Sequence, residues 1–538
     1  MNEKEGGIDR RRFLKSSASG VAGVGMLYNM EKLFGKNDEE KVEMSKPSVS
    51  QSGAKRTLIK GRWIVGFDGR EHRLIHNGVV VYEGDKIVHV GKRFDGKADE
   101  VIEAEGRLVI PGLINIHAVS SIDIVHFTID GQRGGSPSTK TKMLDGIANP
   151  RYYFTTEEEL RTSAEFSLAC LLKGGATTIG EITSFGSTGF NPNPAQVEIL
   201  AETAESMGAR MYLSQPYTDM KNYTDASGTH YHFDEAAGRR GLEDAVRFCK
   251  EYEGTQEDRI RTMLFPYMFD TCSEGLLKAT RRTADVLGVP IHMHTSQYLP
   301  EFYEIIRRHG KTPVHFLRDI GFLGPKTILT HLLYTSLNPV TPAPGRPLRD
   351  PQDVEILAGT ETTLGHTPAV WARIGLPFHS YARYRDAGVN IAIGTDAFPM
   401  DMFMEMRTAA IMSKGIERDR SAATARDVFN ASTLGGAKAL DRTDLGRLEP
   451  GAKADIVVVD LTGLHTALTH DPIKTMVYWA SQSDIETVIV DGRKVVEKGR
   501  IPGLDEEKLA READEINYKW AENTGQTYWA SLKDWEGR

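Results

Sequence analysis

Residues 111–121 read PGLINIHAVSS, an apolar strand-like run that stops at a histidine. Three later stretches repeat the design: VPIHMHTSQ (289–297), TILTHLL (327–333) and IAIGTDAF (391–398). His117, His294, His331 and Asp396 therefore stand at strand ends, and these are residue types that hold a divalent metal in hydrolases. Around them a unit of helix, glycine and short buried strand recurs. TTEEELRTSAEFSLACLLKGG precedes ATTIGEI, PAQVEILAETAESMG precedes ARMYLSQ, and SEGLLKATRRTADVLG precedes VPIHMHTS. Further units lead into TILTHLL, TETTLGHTP and VNIAIGTDA. The first of these helices opens with Thr156 as N-cap and Glu159 three residues later, a capping-box spacing. Six such units plus the strand at LVIPGLINIH predict an α/β fold with buried parallel strands. Over 111–440 this suits a (β/α)8 TIM-type barrel, because no GxGxxG opens the first helix and polar residues repeat at strand ends. Those ends converge on one face of a barrel.

Short β-rich runs flank the barrel. LIKGRWIVG, GVVVYEGDKIVHVG and RLVIPGLI precede it, and ADIVVVD and ETVIVDGRKVVEKGRI follow it, with Gly and Gly-Asp turns between. The economical reading is one composite β-sandwich built from 56–110 and 441–501, with the barrel inserted between the halves. His72, His76 and His89 read as surface residues of this unit, and His309 and His315 as structural residues in helices. The tail at 502–538 is charged and helical. Trp520, Tyr528, Trp529 and Trp535 would dock it on the body or on a neighbouring subunit, in keeping with a homo-oligomer.

The 538 residues are 40% hydrophobic and 26% charged with a net charge of −8, which fits a large globular chain and gives nucleic acid no basic surface. Three cysteines without a CxxC do not make a disulfide framework. No GxSxG, GxxxxGK[ST], HExxH or EF-hand loop occurs. Asp9-Arg10-Arg11-Arg12-Phe13-Leu14-Lys15, followed by a weakly hydrophobic stretch, resembles a twin-arginine export signal over 1–35. A polar linker at 36–55 follows it. The expectation is an exported, periplasmic or extracytoplasmic protein that meets the twin-arginine machinery, although no small-x-small cleavage site precedes Lys36–Lys41. A disordered basic arm is the alternative.

Taken in order, PGLINIH, GATTIGE, TCSEGLL, HMHTSQ, LTHLL, IGTDAF with DMFMEMR, and GRLEPGAKADIVVVD resemble the amidohydrolase superfamily. Within it the likeness is to the branch of cytosine and adenosine-type deaminases and triazine hydrolases, over roughly 56–500. The resemblance implies one divalent metal, zinc before iron or manganese, with His117, His294 and Asp396 as ligands. His331 would ligate or orient the nucleophile and substrate, and Asp396 would double as general base. Tyr267, His366, Trp371, Phe398 and Glu181 would contact substrate.

Several positions depart from the family pattern. The second histidine of the HxH is Val119, and Asn115 replaces an aspartate. Gln297 stands three residues after His294, where deaminases of this branch have a proton-shuttling glutamate; an amide cannot titrate. Tyr267 replaces a histidine, and Val370 and Trp371 replace the Ser-Asn that follows His366-Thr367-Pro368 in relatives. The resemblance thus implies hydrolysis by metal-activated water of a non-peptide C–N bond in a small cyclic or aromatic molecule. Gln297 favours an amide, carbamate or similar bond. N-heterocycle deamination is the second reading, and a non-catalytic or metal-free binding barrel the third. His126 would be a replacement ligand, and Glu181 the acid of a dinuclear variant. His292 reads as a packed, hydrogen-bonded histidine below the site. Asp401 and Glu405 would either orient a ligand or serve as an N-terminal acid and part of a solvated face.

Overall fold

The computed structural model describes residues 54–120, 124, 156–183, 194–225, 228–341 and 352–524. The signal-like segment, all but the end of the linker, His126, Tyr528, Trp529 and Trp535 lie outside the described residues. Among those described, no helix is long and apolar enough to cross a membrane.

The chain starts with strands β1 (Arg56–Phe67), β2 (His72–Glu83), β3 (Lys86–Gly91) and β4 (Glu100–Pro111). After Gly112 it enters the barrel with β5 (Leu113–Ala118), β6 (Ala176–Glu181) and β7 (Arg210–Tyr217). A two-stranded hairpin of β8 (Met220–Asp225) and β9 (Gly228–Phe233) follows. The barrel continues with β10 (Ile260–Pro266), β11 (Ile291–Thr295), β12 (Thr327–His331), β13 (Thr363–His366) and β14 (Ile391–Ile393). Finally β15 (Ile456–Asp460), β16 (Ile485–Val490) and β17 (Arg493–Glu497) return to the first sheet. The two large sheets run β17-β16-β15-β4-β1-β2-β3 and β14-β13-β12-β11-β10-β7-β6-β5.

The eight-stranded sheet is parallel at each pairing, and its strands are buried almost throughout, as the near-continuous apolar runs require. It closes where Ala118 pairs with Asp396. The Asp396 N–H donates to the His117 carbonyl at 2.8 Å and the Val119 N–H to the Asp396 carbonyl at 3.2 Å. Gly394 permits this approach, since a Cβ there would lie 2.7 Å from the His117 backbone nitrogen. Asn115 adds a side-chain stitch. Its amide donates to Thr395 Oγ1 at 2.8 Å, and its Oδ1 accepts from the Thr395 N–H at 3.1 Å.

The capping box forms as the sequence predicts: Thr156 Oγ1 accepts from the Glu159 N–H at 3.1 Å. The barrel strand Ile260–Pro266 and the hairpin depart from the recurring unit. Gln256 and Glu257 (φ 53° and 58°) intervene between Gly254 and β10, so helix, glycine and strand are not contiguous there. The C-terminal helix Glu506–Thr524 docks on the helix Glu157–Lys173 through Lys173–Glu506 at 2.6 Å and Lys519–Glu159 at 2.5 Å. His72 is not a surface residue. It is half-buried, its Nε2 lies 3.2 Å from Thr433 Oγ1, and burial pushes its pKa down to about 4.

A buried charge cluster joins the two sheets. Arg210, at the start of β7 and fully buried, pairs with Asp455 and Asp491, while Lys453 reaches Asp491 at 3.1 Å and Asp85 at 2.9 Å. Removing one member of such a cluster leaves opposite charges buried without compensation. Arg210→Ala is expected to lower unfolding stability by about 3–5 kcal/mol, measured by denaturant titration; a loss below about 1 kcal/mol would show the cluster to be dispensable.

Candidate metal centre

Four strand ends place the site. β5 supplies His117, β11 His294, β12 His331, and the turn after β14 Asp396. The three histidines offer ligand atoms that all lie within 4.8 Å of one another, and all three are buried. Asp396 Oδ2 lies 3.7 Å from Nε2 of both His117 and His331. His331 (φ 81°), Asp396 (φ 59°) and Ser296 (φ 52°) adopt left-handed backbone conformations, each costing about 1–3 kcal/mol. Strain of this kind, gathered on one rim, is characteristic of functional positions.

Each imidazole is held from behind by Nδ1. His294 Nδ1–H donates to the Tyr267 carbonyl at 2.7 Å, which leaves the Nε2 lone pair turned to the site. His117 Nδ1 lies 2.8 Å from His292 Nε2, which in turn lies 2.6 Å from Thr330 Oγ1. His292 therefore sits one layer below the site, packed and hydrogen-bonded. His331 Nδ1 meets Thr367 Oγ1 at 3.0 Å and Trp371 Nε1 at 2.9 Å. The Nε2 atoms of His117 and His331 are buried with no hydrogen-bond partner. Two orphaned imidazole nitrogens facing a carboxylate are a poor arrangement for a site that takes only water, and a good one for a cation. The donor set fits a divalent metal.

Burial keeps the imidazoles neutral, as ligation requires. It pushes His117, His292 and His331 well below the ordinary histidine range, each helped by the neighbouring histidines, and His294 down to about 4. Burial raises Asp396 to about 7, against the lowering effect of the Ala397 N–H and Arg373.

The other expected residues divide. Tyr267 packs its ring edge-on to His294 at 5.4 Å, and Trp371 packs on His331 at 5.0 Å, so both belong to the cluster. His366 is buried beside it, with its ring 5.0 Å from Phe378. Phe398 stacks with Phe166 at 6.4 Å. Glu181 is fully buried, and its Oε2 accepts from the Ser120 N–H at 3.0 Å; it is not among the clustered ligand atoms. The Gln297 side chain is turned outward to Tyr298 Oη at 3.4 Å. Its N–H and that of Ser296 donate to Glu301, at 2.8 and 2.7 Å. Val119 is buried in the apolar core. Asp401 caps the helix Met402–Glu417. Glu405 is fully buried and accepts from the Ala369 N–H at 3.0 Å, so it is not on a solvated face.

Sequence reading did not find Thr367 and Thr330, Glu301, whose pKa burial raises to about 8, or Lys221. Lys221 is buried with its ammonium 6.0 Å above the Tyr267 ring, and burial pushes its pKa down to about 7. Only Thr330 and Thr367 carried a signal, each lying next to a histidine already singled out.

A barrel with imidazoles and a carboxylate at its strand ends defines a class, the metal-dependent hydrolases of this fold. The family model of the amidohydrolase family matches residues 108–495, and the chain belongs to that family. It is an enzyme, a hydrolase of carbon–nitrogen bonds other than peptide bonds. The 5'-deoxyadenosine deaminase of Methanothermobacter thermautotrophicus is 32% identical over 85% of this chain and 97% of its own length. The 5-methylthioadenosine/S-adenosylhomocysteine deaminase of Thermococcus onnurineus is 30% identical over 78% of this chain and 93% of its own. Among solved structures, a zinc-bound adenosine deaminase from Xanthomonas campestris superposes with a TM-score of 0.71 at 22% identity, covering 88% of this chain and 99% of the other. The zinc complex of the Arthrobacter aurescens atrazine chlorohydrolase gives 0.72 at 22% identity, covering 86% and 100%.

His366 offers a test of the site's electrostatics. Burial pushes its pKa down to about 3. Below pH 6.5 the unfolded chain takes up a proton that the folded imidazole refuses, so stability falls as pH falls through that range. In His366→Phe the loss of stability between pH 7 and 5.5 is expected to be about 1 kcal/mol smaller than in the parent, by denaturant titration at both pH values. An unchanged loss would place a solvated imidazole at this position.

Proposed function

We propose that this protein hydrolyses an exocyclic C–N bond of a small nitrogen heterocycle at a single divalent metal, zinc before iron or manganese. The observation that carries the reading is the convergence of the partnerless Nε2 atoms of His117 and His331 on Asp396. His117, His294 and Asp396 would hold the ion, with His331 ligating or orienting beside them. When bound, the metal supplies Lewis-acid activation of a water molecule near neutral pH.

The chain's own groups do the rest. Asp396 would take the proton from the attacking water through its carboxylate. The Tyr267 carbonyl fixes the orientation of His294. The rings of Tyr267, Trp371 and Phe398, with His366, would line an apolar wall suited to a flat heterocycle. The deaminase relatives support this substrate class. A specific observation favours a second reading, hydrolysis of an amide or carbamate: Gln297 cannot protonate a ring nitrogen, and its side-chain amide is engaged with Tyr298 Oη at 3.4 Å.

Purified protein is expected to contain about one equivalent of metal, and His294→Ala to lose both metal and hydrolysis. Measuring metal by elemental analysis and release of ammonia from aminopurines, aminopyrimidines and aminotriazines checks the reading. Metal-free parent protein that is correctly folded would overturn it; metal-loaded protein that cleaves only amides or carbamates selects the second reading.

Export by the twin-arginine route is part of the same proposal, supported by Arg10-Arg11 followed by Phe13-Leu14-Lys15. Replacing both Arg10 and Arg11 by Lys is expected to retain the protein in the cytoplasm on cell fractionation. Unchanged export would reject this signal.

A further inference from the structure

The short helix Pro368–Arg373 follows directly on β13, the strand between the one that carries His331 and the one that leads to Asp396. It packs against the helix Met402–Glu417, and its Ala369 N–H donates to Glu405 Oε2 at 3.0 Å. Its last residue is Arg373. The residue is half-buried, yet its Nε and Nη2 are fully withdrawn from solvent and have no hydrogen-bond partner among the described residues. A guanidinium keeps its charge at any ordinary pH, so donors removed from water and left unpaired are costly. Elsewhere the chain limits that cost. Arg210, Arg259, Arg261, Arg281 and Arg308 also have one orphaned buried nitrogen, but each reaches a carboxylate through another.

Two carboxylates stand near Arg373, and both are engaged elsewhere. Burial raises the pKa of Asp396 and of Glu405, and the Arg373 charge opposes the rise in both, so the guanidinium stands on their side of the barrel mouth. Asp396 faces the histidines, with Oδ2 3.7 Å from Nε2 of His117 and of His331. Glu405 spends Oε2 on the Ala369 N–H. Two residues before Arg373, Trp371 touches His331 Nδ1 at 2.9 Å, so the same short helix reaches the site.

We propose that Arg373 is a specificity-determining residue that takes an oxyanion group, a carboxylate or a phosphate, on the substrate of the neighbouring site. The identity of that molecule as a substrate rests on the hydrolytic reading above; the anion site does not. Nε–H and the Nη2–H beside it form one edge of the guanidinium fork, the edge that grips two oxygens of a planar or tetrahedral oxyanion at once. A neutral ring leaves both donors unpaired, and a site built around unpaired donors discriminates against ligands that cannot accept from them. The substrate class narrows from any flat heterocycle to one that carries an acidic substituent.

Calorimetric titration of the full chain tests this, with pyrimidine-4-carboxylate, pyrimidin-4-ylmethyl phosphate and neutral 4-methylpyrimidine as probes. None has an exocyclic C–N bond, so binding is read without turnover. Each is titrated into protein as purified and into chelator-treated protein. One of the anions is expected to bind about tenfold or more tighter than 4-methylpyrimidine in both forms, and the tighter anion identifies the group. In Arg373→Gln the preference is expected to fall below about twofold. Arg373→Lys, which keeps the charge and loses the fork, is expected to retain an intermediate preference.

A preference that survives undiminished in Arg373→Gln, or that vanishes when the protein is treated with chelator, would assign the anion to another cation and overturn the proposal. Equal weakening of all three probes in Arg373→Gln would mark a structural arginine and overturn it too. Equal affinities in the parent would do the same without any variant having to fold. A parent that prefers anions through Arg373 but releases ammonia from no amino-heterocycle would instead refute the hydrolytic reading and leave the anion site standing.

Discussion

The meeting of the first and eighth barrel strands is the constraint on which the site depends. β5 and β14 are far apart in sequence, and only their contact brings His117 to Asp396. The contact is made by backbone, through Ala118 paired with Asp396 and the Asp396 N–H on the His117 carbonyl. It is permitted by Gly394, where any side chain would strike the His117 backbone, and reinforced by Asn115 on Thr395. Asp396 thus closes the barrel and presents a carboxylate with the same residue. Its left-handed backbone is the geometric cost of turning from the closing hydrogen bonds to the strand-end site.

Much of this was legible in the chain because the signals were local. A buried parallel strand needs an apolar run, and a strand-end histidine or aspartate announces itself at the end of one. PGLINIH, HMHTSQ, LTHLL and IGTDAF could therefore be placed at one barrel mouth without knowing any contact. The alternation of helix, glycine and strand failed only at β10, where Thr255–Asp258 interposes an irregular turn. The hairpin β8–β9 escaped because MKNYTD and THYHF carry no strong apolar alternation. What stayed hidden was chiefly non-local. Nothing in sequence tells that the Tyr267 carbonyl, rather than its ring alone, would meet His294, or that Trp371 would point its N–H at an imidazole. Glu405 reads as an exposed acid in a helix first turn, and only the packing of that helix on Pro368–Arg373 buries it.

The departures from the family pattern acquire physical content in the structure. Asn115 is a covalent near-copy of the expected aspartate with a different task. An amide offers a donor and an acceptor at once, and both are used on Thr395. A carboxylate could accept from the Thr395 N–H and hydroxyl but could not donate to Oγ1. At Gln297, Glu301 fixes the backbone and the side-chain amide meets Tyr298 Oη.

The electrostatics of the cluster argue that it is organised around a charge it does not itself contain. Neutral imidazoles surround a carboxylate that burial holds to a pKa of about 7. The pocket by itself therefore tends to keep a proton on Asp396 rather than a negative charge. A divalent cation inverts that balance: it favours the ionised carboxylate and the neutral imidazoles together, and its binding releases a proton. Small residues at these positions would satisfy packing at lower desolvation cost. The chain instead buries several imidazoles in their neutral form, strains three backbone positions on one rim and leaves two nitrogens without partners. Each of these features is unfavourable to folding alone, and a bound cation would offset the cost of the buried imidazoles and carboxylate.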